Sequence, residues 1–225
     1  MAVSDDENRN SFIRANTTLQ APPLVPEIKL HLAGEVMGLW RETEALSAAM
    51  ACGMANLPPP YWAFAWPGGQ ALARYILDHP DEVAGKSVLD FGAGSGLVGI
   101  AAAKMGGAPV IAADIDALAL AAIGLNAAAN GVFLEQFEND IIGTNGRWDT
   151  VLAGDMCYER PLAERLTRWL RSLASDGARV LIGDPGRNYF PDSGVQRLVT
   201  YEVPTSRDLE DREMRETSVY GLSRT

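Results

Sequence analysis

Between Ser87 and Gly183 short strand-like runs alternate with longer helical ones, and this alternation leaves few folds open to the chain. Val88 to Asp90, Val110 to Asp114, Leu134 to Phe137, Thr150 to Gly154 and Arg179 to Gly183 read as strands. Leu97 to Met105, Ala117 to Asn130 and the amphipathic Leu162 to Leu173 read as helices, with Gly131 a stop signal. Strands separated by helices pair in parallel through right-handed crossovers. The tail departs from the pattern: Val195 to Val203 and Glu213 to Leu222 read as two strands with no helix between them. That ending predicts an antiparallel hairpin added to a mostly parallel α/β sheet of seven strands.

Upstream the pattern is less regular. Residues 1–26 are polar and end in Ala21-Pro22-Pro23-Leu24-Val25-Pro26, which reads as a flexible or extended leader. Residues 27–225 suit a single domain, with 27–80 as its N-terminal extension. In that extension Ile28, Leu30 and Leu32 alternate, Glu42 to Met54 reads as helical, and Pro58-Pro59-Pro60 forbids a helix. Tyr61-Trp62-Ala63-Phe64-Ala65-Trp66-Pro67-Gly68-Gly69 follows, then a helix from Gln70 to Asp78 with Ala71, Leu72, Tyr75 and Ile76 on one face. Tyr61, Trp62, Phe64 and Trp66 can all read as buried core; Trp62 and Phe64 read equally so or not, and Trp66, just before the Pro-Gly-Gly turn, reads less as core.

Several function classes recede on composition. No apolar run approaches the roughly 20 residues that a membrane span needs, and the acidic N-terminus carries no signal core, so a cytoplasmic protein without membrane contact is expected. Cys52 and Cys157 make no disulfide framework, and His31 and His79 stand alone, so no metal site is expected. A net charge of −10 opposes a polyanion, which argues against nucleic acid as partner. The same charge attracts a cationic partner or serves only solubility. The chain is expected to act as a monomer.

Asp90-Phe91-Gly92-Ala93-Gly94-Ser95-Gly96 joins the first strand of the alternating run to a helix. Glycines let the backbone turn sharply and approach a ligand, and the helix aims its free N–H groups at it. Ligands in open parallel sheets bind beyond the carboxyl ends of the strands. A dinucleotide fingerprint requires a glycine where Leu97 stands; here it comes one residue early, at Gly96. Asp114, about 20 residues on at the end of the second strand, is placed to accept from ribose hydroxyls. Asp116 is a rival that reads also as a helix cap. Asp140 and Ile141 are candidates for bracketing an adenine, with a turn as the alternative for Asp140. The fourth strand ends in Asp155-Met156-Cys157-Tyr158. Asp155 reads either as a carboxylate that draws in a substrate ammonium or as a cap on the helix beginning near Pro161, and Tyr158 as an aromatic wall that favours a cation. Asp184-Pro185-Gly186-Arg187 reads equally as a turn or as facing substrate.

The spacing Asp-x-Gly-x-Gly-x-Gly from Asp90 to Gly96 resembles motif I of class I methyltransferases. With Pro60 to Leu72, Asp155 to Tyr158, Gly183 to Arg187 and the tail Val203-Pro204-Thr205 through Asp211-Arg212-Glu213, the chain resembles the seven-β-strand lysine methyltransferases of family 16, over most of its length from about Pro60 to Leu222. The resemblance implies a Rossmann-like class I methyltransferase fold and S-adenosyl-L-methionine as cofactor. It implies that Trp66, Gly69, Asp90, Gly92, Gly94, Gly96 and Asp114 hold that cofactor, and that Asp155 and Tyr158 contact a substrate lysine. The substrate it implies is a folded protein, the β subunit of electron-transfer flavoprotein. Met156 and Cys157 depart from the pattern, in which an aromatic residue often precedes the Tyr. Transfer to a free amine or pyridine of nicotinamide type, and a non-catalytic binding module, are the alternatives.

Overall fold

A computed structural model describes residues 5–34, 38, 39, 43 and 58–223. Seven strands form one sheet in the order β5-β4-β3-β6-β7-β9-β8: β3 (Val88–Phe91), β4 (Val110–Asp114), β5 (Glu135–Glu138), β6 (Thr150–Gly154), β7 (Arg179–Asp184), β8 (Val195–Pro204) and β9 (Met214–Leu222). The first five are mutually parallel; β9 runs antiparallel to β7 and β8 antiparallel to β9, so the later strand lies inside the earlier one. Strand order reverses beside β3, which puts the crevice for a ligand at the carboxyl ends of β3 and β6.

Alternation along the strands divides the core. Val88, Val110, Leu152 and Leu181 face one layer, packed under α2 (Pro67–Asp78), α3 (Leu97–Lys104) and α4 (Ala117–Ala129). Leu89, Val151, Val180 and Ile182 face the other, under α5 (Arg160–Ser175), whose Leu166, Trp169, Leu170 and Leu173 make the apolar stripe. Trp148 and Trp169 meet edge to face at 6.1 Å on that side.

Helix α2 starts earlier than the apolar pattern suggested, at Pro67 rather than Gln70. Proline fits the first helical position because its missing N–H has no partner there anyway. The two glycines that follow let the helix end settle directly on the sheet: a Cβ on Gly183 would collide with the Gly68 carbonyl oxygen, and one on Gly154 would meet the Gly69 Cα at 2.9 Å.

The leader departs from expectation. Residues 5–16 form α1 (Asp5–Asn16), and β1 (Thr18–Gln20) pairs antiparallel with β2 (Leu30–Leu32). Ile13 of α1 is fully buried against Trp62, Leu118, Ala119 and Ala122. The Asn126 and Asn130 side chains of α4 accept from the backbone N–H groups of His31 and Lys29 and hold the hairpin in place. Polar composition hid this, because a short helix with one apolar pair is stabilised by docking rather than by its own propensity. The helix read from Glu42 to Met54 and Cys52 lie outside the described residues, Thr43 apart. No helix among the described residues is long and apolar enough to cross a membrane.

Gly183→Ala is expected to destabilise the chain by about 2 kcal/mol or more, because the methyl group would collide with the Gly68 carbonyl and the Leu72 Cβ, neither of them a flexible side-chain end. Urea unfolding measures it; an unchanged midpoint would refute the direct seating of α2 on the sheet.

Candidate functional site

The loop after β3 closes one turn of its own, Gly96 N–H to the Ala93 carbonyl at 2.7 Å, and carboxylates hold the rest of it. Gly96 caps α3 in the left-handed region, at φ 79°, and has no side chain to satisfy the first helical N–H groups. Asp90 does so from the strand: its Oδ2 accepts from the Gly99 N–H at 2.7 Å. Burial pushes the Asp90 carboxyl up to about 7, against the pull of that hydrogen bond. Gly92 and Gly94 also have positive φ, and a Cβ on Gly92 would run into the Met156 side chain. Asp114, ending β4, accepts from the Gly94 N–H at 2.8 Å with Oδ2 and from the Asp116 N–H at 3.0 Å with Oδ1. Burial raises its carboxyl as well. Asp116 is the N-cap of α4, accepting from the Leu118 N–H at 2.8 Å.

Facing the loop is the aromatic segment. A pocket runs between the two, with Trp66, Gly69, Asp90, Gly92 and Gly94 on its walls beside Tyr61 and Phe64. Gly69 has no atom within 4 Å of the place its Cβ would occupy. The Tyr61 and Trp66 rings meet edge to face at 5.8 Å, and the Trp66 indole N–H donates to the Tyr61 carbonyl. Trp62, by contrast, is 1% exposed and belongs to the core under α1. Five of the residues singled out in the sequence thus share one pocket. Gly96 lies behind it against Ile123, and Asp114 reaches it through the loop.

Asp140 and Ile141 do not join this group. Asp140 accepts from the Ile142 N–H and pairs with Arg165, which holds its carboxyl below the usual range. Ile141 is buried in the layer under α5 with Phe91 and Val151. A larger hollow, about 1070 Å³, lies between residues 142–149 and α5. It borders Asp149 and Ala178, at the amino ends of β6 and β7. That is the wrong end of a parallel sheet for a ligand of the loop.

Asp155 follows β6 with φ 62°, an unusual conformation for a residue other than glycine. It is 7% exposed, and both of its oxygens have partners. Oδ2 accepts from the Gly68 N–H at 2.9 Å and Oδ1 from Arg187 Nε at 2.6 Å. It is therefore a cap, as one sequence reading had it, but on α2; α5 has Glu159 at its N-cap position and no side-chain cap. Arg187 also donates through both terminal nitrogens to Glu210, at 3.2 and 2.5 Å, and its guanidinium carbon lies 5.9 Å from the Trp66 ring centre. The turn before it is built by Asp184, whose Oδ1 accepts from the Gly186 and Arg187 N–H groups at 2.7 Å each. Sequence reasoning flagged the turn but missed Gly68 and the guanidinium's partners. Glu210 offered no local signal, because its contact spans 23 residues.

Tyr158 is 40% exposed, with its ring 5.7 Å from that of Tyr61. Burial first, and then Tyr61 and nearby acids, push its phenol up to about 12, so it remains a protonated donor at neutral pH. Cys157 beneath it is buried, and its thiol is pushed up to about 12 by burial and by Asp184 and Asp155, which keeps it from acting as a thiolate. Among the described residues no group of three or more His, Cys, Asp or Glu side chains is placed to hold a metal ion.

The family model for ribosomal protein L11 methyltransferase (PrmA) matches residues 71–178. The electron transfer flavoprotein beta subunit lysine methyltransferase of Xenopus laevis is 40% identical, over 94% of this chain and 86% of its own length. That of Homo sapiens is 38% identical, over 96% and 83%. Among solved structures, magnesium protoporphyrin IX methyltransferase (ChlM) from Synechocystis PCC 6803 superposes with a TM-score of 0.52 at 18% identity, covering 99% of this chain and 100% of that one. Trm5b from Pyrococcus abyssi gives 0.54 at 15%, over 92% and 56%. The two superpositions show a shared fold.

Asp90→Asn should keep an acceptor for the Gly99 N–H while removing a buried charge. Above pH 7 the native wild type holds that charge in the core, whereas the unfolded chain hydrates it, so the wild type is penalised there. As pH falls from 7 toward 4 the native carboxyl gains a proton before the unfolded one does, and the penalty fades. The variant's stability relative to wild type is expected to be highest at pH 8 and to fall by about 1 kcal/mol per pH unit below 7. A difference that stays level from pH 8 to 5 in denaturant titrations would contradict the burial assigned to Asp90.

Proposed function

The chain belongs to the electron transfer flavoprotein β-subunit lysine methyltransferases, and from that membership we propose that it transfers a methyl group from S-adenosylmethionine to a lysine of the electron transfer flavoprotein β subunit. The observation that carries this reading is likeness along nearly the whole chain: the vertebrate relatives are 37–40% identical over at least 94% of it and over more than four-fifths of their own lengths. The site supports it independently.

The residues present suit this cofactor, which supplies a methyl group on a positively charged sulfur and has no phosphate. Each Asp114 oxygen accepts one backbone N–H and retains a lone pair for a ribose hydroxyl. The open space at Gly69 and the bare backbone of Gly92 and Gly94 admit close approach. The aromatic faces of Trp66 and Tyr61 suit a cationic centre. Asp140 and Ile141 are left out of our assignment, since the one is paired with Arg165 and the other is core.

For the acceptor we assign Asp155 and Tyr158. A lysine ammonium, with a reference pKa near 10.4, must lose a proton before its nitrogen can attack in line with the methyl carbon. When bound, the cofactor would supply the methyl group, leaving its sulfur neutral as the amine nitrogen took it, and the ammonium proton would pass to water. Asp155 keeps a lone pair on each oxygen beyond the Gly68 and Arg187 contacts, so it can accept from the incoming ammonium without releasing α2. The Tyr158 hydroxyl, held protonated, can orient the amine.

Incubated with S-adenosylmethionine, the full chain is expected to raise the intact mass of the flavoprotein β subunit by whole methyl units; an unchanged mass would remove that substrate. Asp155→Ala should cut turnover about a hundredfold, because it strands both the Gly68 N–H and the Arg187 charge. Tyr158→Phe should lower kcat/KM about tenfold, the worth of one hydrogen bond to a charged or reacting group. Wild-type rates in both variants would exclude these two side chains from the reaction.

A further inference from the structure

Arg187 gathers more of the site than any residue assigned above. Its backbone N–H goes to Asp184, its Nε to Asp155, and both terminal nitrogens to Glu210, while the plane of its guanidinium lies near the Trp66 ring. Its own side chain is 19% exposed and that of Glu210 only 3%. Glu210 comes from α6 (Arg207–Glu210), the short helix between β8 and β9, and Arg215 on β9 approaches its other oxygen at 3.8 Å. A planar fork is what such a junction needs: a guanidinium fills three directions at fixed angles, which an ammonium does not.

The consequence falls on the pocket. Asp155 holds the first turn of α2 through Gly68, and Trp66 and Gly69 on either side of that contact line the pocket. Arg187 therefore grips this wall twice, through Asp155 and directly at Trp66. We propose that Arg187 is a positioning residue for methyl transfer, anchored by Glu210, which sets the place of the Trp66–Gly69 wall and the orientation of Asp155. The assignment rests on the methyltransferase reading above, and Arg187 itself touches neither the methyl group nor the lysine.

Such a role has a signature that ordinary structural support lacks. Arg187→Gln removes the grip on both the donor pocket and Asp155, so affinity for S-adenosylmethionine, read by calorimetry well below the melting temperature, should fall about tenfold and kcat about as much. The KM for the protein substrate should stay within about threefold. Arg187→Lys, which keeps the charge and loses the fork, should recover part of both losses. Glu210→Gln should show a smaller loss, and the double variant should be no worse than Arg187→Gln alone, because the two act in series. Donor affinity and turnover at wild-type level in Arg187→Gln, or losses that simply add in the double variant, would overturn the proposal. If Arg187→Gln does not fold, Glu210→Gln decides alone: wild-type donor affinity in that variant overturns the proposal. Because donor affinity is measured without any acceptor, failure of the flavoprotein as substrate and failure of the Arg187 assignment give different results.

Discussion

The seating of one helix end on the sheet governs the rest of the molecule. Helix α2 meets β6 and β7 backbone to backbone at Gly68, Gly69, Gly154 and Gly183, with no side chain between. A Cβ at Gly68, Gly154 or Gly183 would block this approach, and the Asp155 carboxylate completes it by taking the Gly68 N–H, whose helix end leaves it no intrahelical partner. A helix end presents partial positive charge, so a carboxylate there is favoured both as acceptor and as anion. The aromatic wall is simply what precedes that helix, and its position is inherited from the glycine contact.

The opposite wall is built on the same economy of means. Asp90, Asp114 and Asp116 stand at successive strand and helix ends, and each takes a backbone N–H that the turn would otherwise leave bare. Burial makes all three harder to ionise. The loop they brace is glycine-rich, has a single internal turn bond, from Gly96 to Ala93, and offers few side chains of its own to hold it.

How much of this was legible in the sequence depended on range. The β3–α3–β4 unit and the tail hairpin were readable because strand and helix periods and glycine stops are local signals, and the boundaries shifted by few residues. Asp90, Gly92 and Gly94 were legible from the spacing of the loop, whereas Trp66 and Gly69 came only from the family resemblance. The alternation of Ile28, Leu30 and Leu32 was legible, but the helix at 5–16 was not, since Ile13 finds its burial on α4, about a hundred residues away, and nothing local announces that. Ile141 was misplaced because a strand end gives no clue to which layer the next side chain joins. Asp155 was recognised as important while its partner was not: a cap is a local feature only when the helix it caps follows it, and here the helix precedes it by 87 residues. The same distance problem hid Glu210.

The inner position of β9 has a consequence for how the chain is made. During synthesis β8 emerges before β9, yet among the described residues its only strand neighbour in the finished sheet is β9. Until the later strand slips in beside β7, β8 is an unpaired ribbon with its backbone groups in water, a form prone to pairing with the wrong partner. The acidic anchor of the site rides on the same excursion, between the two strands. Ribosome-bound chains that stop short of this last strand would carry the donor loop and the glycine seating of α2, with Glu210 not yet fixed beside Arg187.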